Sequence, residues 1–508
     1  MYRTILSRRR SSAVLDGSLL PIIIFCGWLA GAQAANEPLR LPQMGDPASA
    51  VLSPGQEALL GETVLIQIRS ALPILKDPEL NDYIQALGTH LVSAGSESIM
   101  PFTFLLVRDP TINAFAAPGG IVVVNTGMLL TAQRENELVG VMSHEIAHIL
   151  QRHMARTYAN AGSLSLKTAL GALASILLGA YGGADMASAG LLSTMAANAQ
   201  SQLAFSRANE QEADRVGLRL MAAARFDPRG MPNFFQRLQR WSQINVGPIP
   251  AFLSDHPITL SRIVDTRSRA AQYSGSFIKN SLRFQFAKAR VLALTSDPNT
   301  LISHYEEIKR AGQSNDTTDP YAYALALTQA GEPRRAIGVL KSIKQAPDSL
   351  LPIELALVQA YLSAGQARPA LQHLQRLNEI YPGQESIIYY LAQAYIASRQ
   401  PQKALSQLDV AARIDRHNPV LDRLKAEAAA KAGLPWVSHE SLADYYSAYG
   451  QLGAALEQLK LALNATRIDD VSRARIQSKR ARLTELLRSQ EPAAGQTPSP
   501  GGILPIGP

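Results

Sequence analysis

ENELVGVMSHEIAHIL, running from Glu135 to Leu150, is the stretch whose reading decides the fold. Leu138, Val141, Met142, Ile146, Ile149 and Leu150 recur at helical spacing, and Gly140 is the only glycine or proline before Tyr158, so one long helix is expected from Glu135 to Tyr158. Residues four apart share a helical face, which lets His144 and His148 aim two imidazoles at one point while Glu145 sits beside it. That spacing builds half of a catalytic zinc site: two nitrogen ligands and a carboxylate able to take a proton from water.

A catalytic zinc keeps three protein ligands and one open position, so a third ligand must come from elsewhere in the chain. Glu210 is the best candidate. It opens Glu210-Gln211-Glu212-Ala213-Asp214 on a second helical stretch, Ser206 to Ala224, and Glu212 offers the same group two residues on. Asp214 stands one turn beyond Glu210 on the same face, where a carboxylate accepts the outer ring N–H of a ligand histidine and fixes its tautomer. His153, five positions past His148, falls off the ligand face and is expected at the surface. His90, His304, His373, His417 and His439 have no metal spacing.

Four ordered segments carry a family resemblance: HEIAH at 144–148, FSRANEQEAD at 205–214, Asp255-His256-Pro257 followed by Arg262, and Asn113 to Gly120 leading into Ile121 to Gly127. Together, over roughly residues 100–265, they resemble the HtpX-like and CaaX-prenyl-protease zincins. The resemblance implies a metalloendopeptidase in which the first Glu of E-x-x-A-D, here Glu210, is the ligand and Glu212 an ordinary helix residue. It implies a strand pair just before the zinc helix. It also brings His256 close to one bound Zn2+, where it gates activity by competing with water or hydrogen-bonds the transition state. Arg262 then anchors this loop or stabilises an oxyanion. Glu145 is the expected general base, handing its proton to the leaving amine. The β-branched run Ile121-Val122-Val123-Val124-Asn125 reads as an edge strand to which an extended substrate adds.

The remaining chain suggests a compartment and a second module. Arg3, Arg8, Arg9 and Arg10 precede an apolar run from Leu19 to Leu29 and then Ala32-Gln33-Ala34, the pattern of a signal peptide over residues 1–34. The single cysteine, Cys26, lies in that run, so no disulfide is expected in the mature chain. Loss of the segment lowers the net charge of +8 to about +5. That mild balance fits loose attraction to an anionic membrane, and no basic run interleaved with aromatics points to nucleic acid.

Helical patterns over Gln56–Ser70 and from Asp77-Pro78 to Ser93, with strands over Phe102–Arg108 and Ile121–Asn125, make residues 35–270 an α+β zincin domain. Residues 164–205, rich in Ala, Gly, Leu and Ser, are read as a helical cover over the site, touching membrane or simply buried. Beyond residue 271 a period of 34 appears in three registers: Gly331, Gly365, Arg399, Gly433; Ala336, Ala370, Ala404, Ser438; and Leu340, Leu374, Leu408, Leu442. Gly450, Ala455 and Leu459 repeat the offsets only 17 positions after Gly433, as if one helix served two units. The period resembles tetratricopeptide repeats, giving an all-α solenoid over 271–488 whose concave face binds protein partners. A disordered tail is expected over 489–508.

A signal peptide, a zincin domain and a repeat array in this order resemble the β-barrel assembly-enhancing proteases of the Gram-negative periplasm. The resemblance implies degradation of misassembled outer-membrane β-barrel proteins, chaperone-like help in their assembly, and docking on the barrel-assembly machinery through the repeats. Two other classes fit the same residues: a repeat-based chaperone or adaptor with a latent zinc site, and a regulator that cuts one periplasmic client.

Overall fold

Thr103–Val107 (β1), Ala114–Ala117 (β2) and Ile121–Asn125 (β3) form a three-stranded sheet in the order β1-β3-β2, in a computed structural model of the chain. The structure describes residues 54–95, 101–160, 206–244, 250–279, 281–313, 317–343, 350–414 and 418–490. The expected signal peptide, the cover at 164–205 and the tail from residue 491 lie outside the described residues. β3 runs parallel to β1, with Leu105 opposite Val123, and antiparallel to β2, with Ala116 opposite Val122. All five β3 residues are buried.

This corrects the expectation that Ile121–Asn125 is an edge strand. Its Val-Val-Val run is apolar on both sides because both faces are covered and both edges paired, which is how a central strand reads. The edge beside the second half of the domain is β2, whose small Ala-Phe-Ala-Ala sequence gave little strand signal.

Helices flank this sheet. Pro54–Ala71 (α1) buries Leu60, Val64 and Ile68 against Leu105, Val107 and Val123. Pro78–Gly95 (α2) starts on Asp77, whose carboxylate accepts the Leu80 N–H at 3.0 Å, and it packs on β1. A short helix, Thr126–Thr131 (α3), leads into Glu135–Leu150 (α4) and then His153–Asn160 (α5). The single helix expected from Glu135 to Tyr158 is thus two. Arg152 takes a left-handed φ of 51° between them, and its guanidinium reaches Glu57 on α1 at 3.1 Å.

α4 lies against Arg207–Ala223 (α6), which Ser206 caps by accepting the Asn209 N–H, and against Gly230–Ile244 (α7). The approach is close enough to dictate residue size. A Cβ on Gly217 of α6 would sit 3.2 Å from the His144 backbone N, and one on Gly140 of α4 would sit 2.8 Å from the Met231 Cα of α7. Ala251–Asp255 (α8) and Leu260–Ala270 (α9) close this part of the fold.

From Leu282–Thr295 (α10) onward the chain is a series of helical hairpins. Gly331, Gly365, Arg399 and Gly433 have φ of 81°, 71°, 58° and 72°, and each ends a helix. The next residue's N–H reaches back to a carbonyl in the last turn, as Gln366 does to Tyr361 at 2.8 Å. The period of 34 is therefore the spacing of left-handed helix stops, and Arg399 takes that conformation without being glycine. Ala336, Ala370 and Ala404 are fully buried, with Leu340, Leu374 and Leu408 behind them. Pro435–Ala448 packs against both Pro419–Lys431 before it and Leu452–Asn464 after it, which accounts for the shortened step of 17.

Arg290 of α10 joins the two parts. It is fully buried, donates from Nε and Nη2 to Asp77 at 2.8 and 2.7 Å, and lies 2.9 Å from Glu79. Tyr390 in the repeats accepts from the same guanidinium at 3.1 Å and donates to Glu79 at 3.1 Å.

Candidate metal centre

Helix α4 turns His144 and His148 to one side, and both are buried, with Nε2 atoms 3.0 Å apart. Glu210, in the first turn of α6, places its carboxylate 3.4 Å from His148 Nε2 and 3.5 Å from His144 Nε2. His256, at the end of α8, brings Nδ1 within 3.0 Å of Glu210 and 3.3 Å of His144 Nε2. The four residues offer donor atoms within 4.8 Å of one another, the one such group among the described residues.

Four donors about 2.0–2.1 Å from a tetrahedral ion stand about 3.3–3.4 Å apart, close to the 3.0–3.5 Å found for every pair of these residues except His148 and His256. Three imidazoles and a carboxylate, buried together, suit a divalent metal. Glu145 points to the same place from the next position on α4, 3.6 Å from His256 Nε2, and neither of its oxygens has a full hydrogen bond. Burial pushes its pKa up, more than His256, His144 and the Ala116 N–H of β2 pull it down.

The surrounding groups orient these side chains. Asp214 lies 3.0 Å from His144 Nδ1 and accepts from Arg262 Nε and Nη2 at 2.8 and 2.7 Å. Arg262, almost fully buried, also lies 2.8 Å from Glu210 Oε2 and donates from Nη1 to the Pro257 carbonyl at 3.0 Å. One guanidinium thereby holds Glu210 and Asp214 of α6 and the loop that carries His256. Burial alone would suppress charge on His144, yet Asp214 and Glu210 carry its pKa up to about 9. His148 goes the other way, held well below its usual value by burial. Glu210 is held far down despite burial, because His256, His144 and His148 surround it.

His153 corrects the expectation of a surface side chain. It is fully buried, with Nδ1 3.0 Å from His148 Nδ1 and Nε2 3.2 Å from Glu212. The turn at Arg152 swings it back under His148, and no residue spacing announces such a turn. Glu212 does not reach the four-donor group; it receives Arg156 at 2.9 Å instead. Ile121–Asn125 stands behind β2 as seen from the site; the strand pair that the resemblance implied before the zinc helix is β2 and β3, and only the approach of Ala116 to Glu145 was not foreseen.

Comparison with known proteins matches these features to two families. Residues 78–270 match the family described as Peptidase family M48, and residues 361–428 match a tetratricopeptide repeat. The chain is 36% identical to the β-barrel assembly-enhancing protease of Escherichia coli over 319 residues, 62% of this chain and 65% of that one. A Vibrio cholerae relative is 41% identical over 262 residues, 52% of this chain and 54% of the relative. The mitochondrial metalloendopeptidase OMA1 of Schizosaccharomyces pombe is 33% identical over 181 residues, covering 36% of this chain and 50% of that protein. The chain thus spans between about half and two thirds of the length of these curated relatives. Residues 78–270 are thus similar to M48 peptidases and residues 361–428 to a tetratricopeptide repeat, and the chain is similar to the β-barrel assembly-enhancing proteases.

Proposed function

We propose that this protein is a zinc metalloendopeptidase of the periplasm that removes misassembled outer-membrane β-barrel proteins and assists their assembly. The observation that carries the reading is the buried gathering of donor atoms from His144, His148, Glu210 and His256, within 4.8 Å of one another, beside the buried Glu145 and within the segment similar to M48 peptidases. His144, His148 and Glu210 hold the ion, and His256 stands in the fourth place as a gate. Residues 35–270 form the catalytic domain and residues 271–488 the repeat domain that meets clients and the barrel-assembly machinery. Among the described residues no helix is long and apolar enough to cross a membrane.

When bound, zinc polarises a peptide carbonyl and lowers the pKa of water to about 7. Glu145 accepts the proton of the attacking water and delivers it to the leaving amine, and its raised pKa suits that return step. Asp214 and Arg262 keep His144 in the tautomer that offers Nε2. His256 must withdraw before water and substrate share the site. The substrate backbone extends along β2, the edge nearest Glu145, rather than along β3.

A latent, chaperone-like state is the second reading, and His256 in the fourth place favours it for the resting protein. Purified zinc-loaded protein is tested on casein beside Glu145→Gln and beside chelator. Activity lost in both controls supports the peptidase, and an intact effect of Glu145→Gln on barrel assembly in cells supports the chaperone.

A further inference from the structure

His153 is a buried histidine that the proposed chemistry leaves unused. It sits at the first position of α5, and it would point away from the site if α4 simply continued, because five residues turn a helix about 140° past full circle. The left-handed Arg152, tied to Glu57 on α1, breaks the helix at the one place that brings His153 back. The two rings then meet edge to face, centroids 4.8 Å apart, with Nδ1 against Nδ1 at 3.0 Å.

We infer that His153 is a positioning residue for the metal ligand His148, acting through a relay that runs from His148 through His153 to Glu212 and Arg156. The inference rests on the zinc-site reading above. With Nε2 of His148 turned to the ion, its Nδ1 carries the hydrogen and donates it to Nδ1 of His153. His153 is then the Nε2–H tautomer, and it donates that hydrogen to Glu212 Oε2 at 3.2 Å. Arg156, one turn further along α5, donates to the same oxygen at 2.9 Å. Each ring has one donor and one acceptor nitrogen, so a single assignment of hydrogens satisfies every contact.

The two ligand histidines are therefore backed differently. His144 rests on a carboxylate, Asp214, itself held by Arg262. A second carboxylate directly behind His148 would add another negative charge to a buried site that already holds Glu210, Asp214 and Glu145, with Arg262 the guanidinium that meets Glu210 and Asp214 among the described residues. A neutral imidazole avoids that charge and passes the pull of Glu212 inward from a half-exposed position. Outer groups of this kind commonly govern metal affinity ~10–100-fold.

The test measures zinc affinity of the full-length protein by chelator competition, with thermal unfolding of the metal-free forms as a check on folding. His153→Ala is expected to bind zinc ~10–100-fold more weakly. His153→Asn, whose side-chain oxygen stands near the lost Nδ1, should lose less than about tenfold. Ring nitrogen spectra of zinc-loaded Glu145→Gln should report His153 protonated at Nε2 and His148 at Nδ1. Unchanged affinity in His153→Ala, or a His153 ring protonated at Nδ1, overturns the relay. His148→Ala separates the levels: if it too binds as tightly as wild type, the metal-site reading itself falls, whereas its loss beside an unaffected His153→Ala removes only the relay.

Discussion

His256 Nδ1 lies 3.0 Å from Glu210 Oε1, so the side chain that ends α8 stands within the donor set, at the place proposed above for water and substrate. His256 Nε2 meanwhile faces Glu145 at 3.6 Å. One imidazole therefore contacts both a proposed ligand and the proposed base, and moving it would free both.

Replacing His256 by Ala leaves three ligands, which is enough to retain zinc. Casein cleavage is expected to rise severalfold while zinc content stays near one per chain. A rate that falls with zinc retained would make His256 a transition-state donor instead of a gate.

Glu145→Gln keeps the shape of the site and removes the proton acceptor. The expected result is a kcat lower by ~10²–10⁴-fold with zinc binding intact, measured on casein or a fluorogenic peptide. Retained turnover would sink the assignment of Glu145 as base.

Arg262→Met strands Asp214 and Glu210 without their guanidinium in a buried setting. Breaking such a pair costs about 3–5 kcal/mol, so the melting temperature of the metal-free protein should drop by several degrees. Zinc affinity should fall with it, since Asp214 would no longer be held against His144. A protein as stable as wild type would mean that the loop carrying His256 has other anchors.

At the junction with the repeats, Arg290→Met leaves Asp77 and Glu79 buried without their guanidinium. A loss of about 3–5 kcal/mol is expected, measured by denaturant unfolding, with earlier separation of the repeat helices seen by hydrogen exchange. Adding Asp77→Asn should recover part of it. No recovery would place the cost in the lost contacts of Arg290 with Tyr390 and with Tyr321, whose hydroxyl accepts from its Nη1 at 3.4 Å.

His144 has a folded pKa raised to about 9 in the metal-free protein. The stability it contributes is fully present below its unfolded value near 6.5 and is lost as pH climbs through about 9. Zinc must displace that proton, so binding at pH 7 should release about one proton and strengthen toward pH 9. Calorimetry in buffers of different ionisation enthalpy reads the proton directly, and no buffer dependence would contradict the raised value.

The sequence alone marked His144, Glu145, His148 and Glu210, because ligands one helical turn apart and acids at the start of a helix are local patterns that survive without knowledge of the fold. The same holds for the repeats. Gly331, Gly365 and Gly433 sit where a helix stop demands a left-handed residue, and the period follows from one hairpin's length.

Tertiary structure decided the rest. The run Ile121–Asn125 reads as a strand from its branched residues, but edge or centre depends on which other strands pair with it, and β2 took the edge. His153 reads as a surface residue from its spacing, and only a turn fixed by a partner 95 positions earlier in the chain, Glu57 for Arg152, sends it under His148. Arg290 gave no signal at all, since an arginine on a helix is ordinarily solvated; its role exists because Asp77, Glu79 and Tyr390 converge from segments distant in sequence. Periodicity records how a side chain faces within its own element, while long-range contacts determine what it faces.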